Sequence, residues 1–184
     1  MPSGKTHDRI TLWILPWTVC GSYILTRNGE LTLLFSGGFL FSGLMFGPDL
    51  DIYSVQFKRW GILRWLWLPY QKLLHHRSFL SHGFILGTVI RIIYLLLWLF
   101  ILGSFFVAIA QLIIGFNWNW HTFIVKHFNL IITEYRQEAI AIFTGLELGS
   151  MSHYFSDWLG SANKKKQKAQ KPKPKVKKTK NSTR

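Results

Sequence analysis

From Ile92 to Phe116 the chain carries no charged residue. About 20 residues at ~1.5 Å each cross the hydrocarbon of a bilayer, so this run, extendable back to Phe84, reads as a transmembrane helix. Three further apolar stretches accompany it: Ile10–Leu25, Leu31–Phe46 and Ala139–Trp158. The first two are shorter. Joined by Thr26-Arg27-Asn28-Gly29-Glu30, an Asn-Gly turn, they predict a helical hairpin that either spans the bilayer or dips into it. The fourth carries Glu147, His153 and Asp157, so it must turn a face toward its neighbours and away from lipid. The expected fold is all-α: a polytopic helical membrane protein of about four segments over residues 1–160, with a disordered Lys-rich tail at 161–184.

Composition agrees. Of the residues, 49% are hydrophobic and only 16% charged, well short of the quarter typical of a soluble domain. The net charge is +14, but Lys164–Arg184 holds ten Lys and one Arg with no acid, which leaves the rest of the chain at +3. That tail cannot bury apolar surface, and a basic segment beside a helix is drawn to anionic lipid or another polyanion. It lacks the interleaved aromatics of a specific nucleic-acid reader. A single cysteine, Cys20, allows no internal disulfide and reads as a buried structural thiol. Lys5 and Arg9 before an apolar run resemble a signal peptide, but no small-x-small cleavage site follows, so the segment is expected to stay in the membrane.

Between the second and third segments, Ile52–Leu74 mixes Trp60, Trp65, Trp67 and Tyr70 with Lys58, Arg59, Arg64 and Lys72. Aromatics among cations suit the headgroup layer, either as a simple anchor or as a lid. Gly61 and Pro69 exclude one long helix there. By the positive-inside rule, this loop, the N-terminus and the Lys tail belong on the cytoplasmic side, and four spans place all three there. Both termini are therefore expected on the cytoplasmic side.

That topology sorts the residues able to ligate a metal. His7, the Asp49-Leu-Asp51 pair after Gly47-Pro48, His75-His76 with His82, and His153 with Asp157 all fall at cytoplasmic helix ends; His121 and His127 fall on the far side and are excluded. His153 and Asp157 stand four apart, on one helical face. Mixed imidazole and carboxylate donors suit zinc foremost, then manganese or iron, more than calcium or cuprous ion. So many donors suggest two ions, or one ion with supporting partners. Such a site could polarise an ester or phosphoester and activate water near neutral pH, with Asp51 and Arg77 as candidate catalytic residues, Arg77 (or Lys72) neutralising a phosphate oxygen.

Arg91 and Glu147 lie ~9 to 14 Å deeper along their helices than His82, placed at the head of the third span, and His153. They either form an ion pair or satisfy themselves separately, Arg91 snorkelling to the headgroups and Glu147 bonding a hydroxyl.

Met-Pro-Ser-Gly-Lys-Thr-His7, Gly-Pro-Asp49-Leu-Asp51, His76-Arg77-Ser-Phe-Leu-Ser-His82-Gly and His153-Tyr-Phe-Ser-Asp157 together resemble an uncharacterised family of metal-binding membrane proteins of cyanobacteria and archaea. That family is similar to bacterial inner-membrane metal-dependent hydrolases, and more remotely to zinc-dependent phospholipase C and single-strand-specific zinc nucleases. The resemblance covers about residues 1–160 and implies metal at His7, Asp49, His76, His82, His153 and Asp157, with Asp51 and His75 beside them. The soluble zinc enzymes also use their amino-terminus and a second His-x-x-x-Asp pair, and neither has a counterpart here, so one or two ions are expected. The resemblance implies a metal-dependent hydrolase of a phosphoester or lipid-like substrate, in the plasma (inner) membrane of a prokaryote or, in a cyanobacterium, the thylakoid membrane. The hydrolase's rivals are a structural metal staple and a small transporter component built on Glu147 and Arg91.

Overall fold

The computed structural model describes residues 4–74 and 78–170, with side chains described up to Trp158. His75, His76 and Arg77 lie outside the described residues, as does the tail from 171 onward. The described residues form helices and turns with no strand.

α1 (Gly4–Thr26) and α2 (Gly29–Leu44) form the expected hairpin. Arg27 takes a positive φ of 51° at the turn, and the Asn28 side chain caps α2 by accepting from the Glu30 and Leu31 N–H groups, two of the orphan donors of a helix start. Gly47 and Pro48 then stop the chain, and Pro48–Asp51 winds a 3-10 turn. The segment after it enters the core with one face while Ile62, Leu63, Trp65 and Leu68 stay exposed. It breaks into α3 (Val55–Arg59), a 3-10 stretch at Gly61–Trp67 and α4 (Leu68–Leu73). Phe57, Leu66, Trp67 and Tyr70 pack with Phe46, Leu50 and Leu146 into the buried core. Its polar groups grip the end of α2. Gln56 Nε2 donates to the Gly43 carbonyl, Arg59 Nη1 to Leu44 and Trp60 Nε1 to Met45, while Gln71 Nε2 donates to Leu50 and Ile52. Carbonyls that a helix end and a tight turn leave unpaired are thereby satisfied, and the turn bearing Asp49 and Asp51 is held from below.

α5 (Phe79–His82) is one short turn, and α6 (Leu86–Ile114) starts only after it, so His82 closes a separate element and does not head the long helix. α7 (Trp120–Thr133), which the apolar pattern does not single out, is an amphipathic helix with no buried residue and carries His121 and His127, both exposed. α8 (Arg136–Gln170) returns along α2 and runs past the expected end of the fourth segment, through the first lysines of the tail.

α2 and α8 meet backbone to backbone. A Cβ added at Gly149 would lie 2.8 Å from the Ser42 Cβ and 3.0 Å from the Gly43 nitrogen, so only glycine permits this approach. Gly145-x-x-x-Gly149 opposite Gly38 and Gly43 is the small-residue pairing that lets helices associate where apolar burial gives little drive. Among the described residues two stretches, Gly29–Asp51 and Leu86–Ile114, are long and apolar enough to cross a membrane, where four are expected. Across its most apolar stretch Leu86–Ile114 has no fully buried side chain, although Ile92, Tyr94, Leu95 and Trp98 are half-buried against the core. Cys20 is exposed, on an α1 face that also presents Trp13, Trp17 and Ile24, which corrects its reading as buried.

Candidate metal centre

The three motifs and the start of α1 converge at one end of the helices. His7 reaches it from the first turns of α1, and its neighbour Asp8 fixes that helix by a bidentate pairing with Arg59 of α3, Nη1 donating to Oδ1 at 2.8 Å. α8 contributes His153 and Asp157, one turn apart, and the Pro48–Asp51 turn contributes Asp49. His153 Nε2 lies 3.2 Å from Asp49 Oδ1 and 3.9 Å from Asp157 Oδ2, and His7 Nε2 lies 3.5 Å from Asp157 Oδ1. The two imidazoles stack with ring centres 4.0 Å apart.

Among the described residues, one ligand atom each from His7, His153 and Asp157 lie within 4.8 Å of one another, a grouping that could hold a metal ion. Among the described residues, Nδ1 of His7 and both ring nitrogens of His153 are inaccessible to solvent and accept or donate no hydrogen bond, His153 Nε2 having only the ion-pair approach of the two carboxylates. Buried imidazole nitrogens are normally satisfied, so nitrogens gathered beside two carboxylates match the donor set of a divalent cation. Burial, and then the neighbouring His153, push the His7 pKa below its ordinary value, which favours the neutral imidazole that ligation requires.

Asp51 and His82 form a second pair, with His82 Nδ1 3.5 Å from Asp51 Oδ2 and 2.8 Å from the Ser81 hydroxyl. The Asp51 side chain is fully buried. Beside it, burial pushes the Tyr70 phenol up to about 12 against the opposing pull of Arg91, so Tyr70 stays neutral. The structure therefore gathers His7, Asp49, His153 and Asp157, pairs Asp51 with His82, and keeps His121 and His127 on α7. The expectations at His75, His76 and Arg77 fall outside the described residues.

Sequence reasoning does not find the approach to the centre. A cleft of about 240 Å³ opens over His7, Asp49 and Asp157 and is lined on its other side by Tyr53, Ser54 and Lys58. The Lys58 ammonium sits 4.8 Å above the Tyr53 ring. By sequence Lys58 groups with the headgroup cations, and nothing in linear order marks it as different.

Arg91 and Glu147 do not pair: among the described residues neither has an ion-pair partner. Arg91, wholly buried, does not snorkel, and Glu147 Oε1 accepts from the backbone N–H of Ile85 at 3.0 Å in place of a hydroxyl. Ser81 of α5, Thr88 of α6 and Ser150 of α8 take up the Arg91 guanidinium, and Ile85, just before α6, takes up Glu147.

A family model described as Uncharacterized metal-binding protein (DUF2227) matches residues 2–167. The chain belongs to that family. Membership makes it a metal-binding protein, and the convergent imidazoles and carboxylates are where its residues fit a metal. It is also similar to an "Uncharacterized protein" of Aquifex aeolicus (strain VF5), with 36% identity over 62 residues, 33% of this chain and 43% of the relative. The match thus spans less than half of that relative's length. No solved structure matches the chain.

Proposed function

We propose that the chain is an integral membrane protein, its termini on the cytoplasmic side, that holds one or two divalent ions and hydrolyses a phosphoester or lipid-like substrate. The observation that carries this reading is the grouping of buried His7 and His153 imidazoles with Asp49 and Asp157, beside a cleft that His7, Asp49, Asp157 and Lys58 line. His7, His153, Asp157 and Asp49 would hold the first ion, and Asp51 with His82 would serve a second or orient the first. Zinc fits this donor set best, followed by manganese or iron. A divalent ion at such a site polarises a phosphoryl oxygen and makes water acidic enough to act near neutral pH. Lys58, which lines the cleft, would receive the negative charge of the substrate, and Arg77 stays a candidate for the same role from the sequence alone.

The exposed apolar side chains of Leu86–Ile114 and the glycine-lined α2–α8 seam support placement in lipid. A structural staple is the second reading, favoured because the ligands come from α1, the Pro48–Asp51 turn and α8, far apart in the chain. A transport path through Arg91 and Glu147 draws no support, since both are engaged with the protein's own backbone.

The test is elemental analysis of the detergent-purified protein and of His153→Ala, followed by assays on phosphomonoester, phosphodiester and phospholipid substrates with Asp51→Asn as control. Stoichiometric metal lost in His153→Ala, and turnover lost in Asp51→Asn with metal retained, are expected. Metal-free wild-type protein would overturn the reading. Stoichiometric metal without turnover, and a large fall in melting temperature on chelation, would leave the staple.

A further inference from the structure

Arg91 is wholly buried, and among the described residues no carboxylate lies within ion-pair distance. A buried guanidinium is costly unless its donors are used, and most of them are. Nη1 donates to the Ser81 carbonyl at 3.1 Å; Nη2 donates to Thr88 Oγ1 at 2.9 Å and to Ser150 Oγ at 2.8 Å. Ser150 Oγ is in turn 2.9 Å from Ser42 Oγ. The guanidinium carbon lies over the Phe46 ring, 5.9 Å from its centre.

All of these partners except Thr88, which lies on α6 itself, adjoin a ligand motif. Ser81 precedes His82 and shares a hydrogen bond with its Nδ1. Ser150 stands three residues before His153, and Ser42 and Phe46 lead from α2 into the Asp49–Asp51 turn. One cation therefore touches, directly or through one hydroxyl, the three elements that carry the distant motifs. Glu147 holds the other end of the same loop. Its carboxylate accepts from Ile85, a β-branched residue at φ 64°, a backbone state that persists only when its surroundings enforce it.

We propose that Arg91 and Glu147 are positioning residues of the metal centre: the two buried charges clamp the 81–85 loop from opposite ends and set His82 against Asp51. This rests on the reading that His82 and Asp51 belong to the centre. The orphan charges thereby gain a role other than an ion pair or a pathway. Partners that orient a ligand without touching the metal typically change affinity by about 10- to 100-fold when removed.

The experiment is titration of the full-length, detergent-solubilised apo protein with Co²⁺, read by its visible ligand-field spectrum and by the dissociation constant, in wild type, Arg91→Lys, Glu147→Gln, Glu147→Ala, His82→Ala and the double variant Arg91→Lys/His82→Ala. Arg91→Lys keeps the charge but loses the fork, and is expected to weaken binding by about 10- to 100-fold with an altered spectrum. Glu147→Gln, which retains an acceptor oxygen, should lose less than Glu147→Ala. In the His82→Ala background, Arg91→Lys should cost almost nothing further, because its route to the metal is already gone. Multiplicative losses in the double variant would overturn the proposal, as would an unchanged spectrum and affinity in Arg91→Lys at a lowered melting temperature. Should Arg91→Lys fail to fold, Thr88→Val, which removes the hydroxyl that accepts from Arg91 Nη2, alone and with His82→Ala gives the comparison. Wild-type protein that takes up no stoichiometric cobalt would remove the metal reading itself, and the proposal with it, a result distinct from all of these.

Discussion

Replacing Gly149 with alanine tests whether the α2–α8 seam sets the geometry of the metal centre. The new Cβ would stand 2.8 Å from the Ser42 Cβ and 3.0 Å from the Gly43 nitrogen, where carbon–carbon contacts settle at about 3.5–4.0 Å. The helices must therefore part by roughly 1 Å. Backbone atoms cannot rotate aside, so the cost belongs at the upper end of overpacking, about 3 kcal/mol. Alanine recovers about 1 kcal/mol of helix propensity, leaving a net loss of about 2 kcal/mol. Gly149 lies one turn before His153, and metal–ligand distances tolerate only about ±0.2 Å, so affinity should fall by roughly 10- to 100-fold. Gly37→Ala is the control, because nothing lies within 4 Å of its Cβ position and it gains the same propensity. Thermal unfolding in detergent and a competitive zinc titration on both variants decide the matter. Gly149→Ala matching Gly37→Ala in both would refute the claim that this seam places the ligands.

Three further outcomes are expected. His7 has a folded pKa below its unfolded value, so between the two the unfolded chain binds the extra proton; metal-free protein should lose stability as pH falls below about 6.5, the loss ending beneath the folded pKa. Melting curves of apo protein from pH 7.5 downward check this, and His7→Gln should flatten the slope. Lys58→Ala should leave metal stoichiometry intact while weakening inhibition by inorganic phosphate several-fold, as expected for loss of one charge at a cleft mouth; equal inhibition would remove Lys58 from substrate binding. Asp8→Asn should cost less than about 1 kcal/mol in thermal stability, because the Arg59 pair it breaks is partly exposed.

Much of the centre is legible in linear order because its chemistry is local. His153 and Asp157 fall on one helical face by the 3.6-residue period alone, and Gly47-Pro48 places Asp49 and Asp51 on a turn because proline cannot continue the helix before it. The hairpin turn at Arg27-Asn28-Gly29 is equally readable, since an asparagine side chain caps the helix that starts beside it. Less is visible where one composition serves two environments. Trp60–Tyr70 reads as a headgroup segment, yet Trp67 and Tyr70 are core, because aromatic residues suit an interface and an interior alike. Gly145-x-x-x-Gly149 is open to inspection as a close-packing signal, but its partner on α2 is not.

By itself, the sequence determined the all-helical class, the apolar stretch long enough to cross a bilayer, and the residue types of the donor set, each set by hydropathy, periodicity or ligand chemistry along the chain. Only the tertiary structure decided which donors meet. His7 and Asp157 stand at opposite ends of the sequence, and their 3.5 Å approach depends on α1, α2 and α8 packing side by side. It also decided that Arg91 and Glu147 hold a loop and do not pair. Both charges must be satisfied once buried, and which groups satisfy them depends on what packing brings within hydrogen-bond reach.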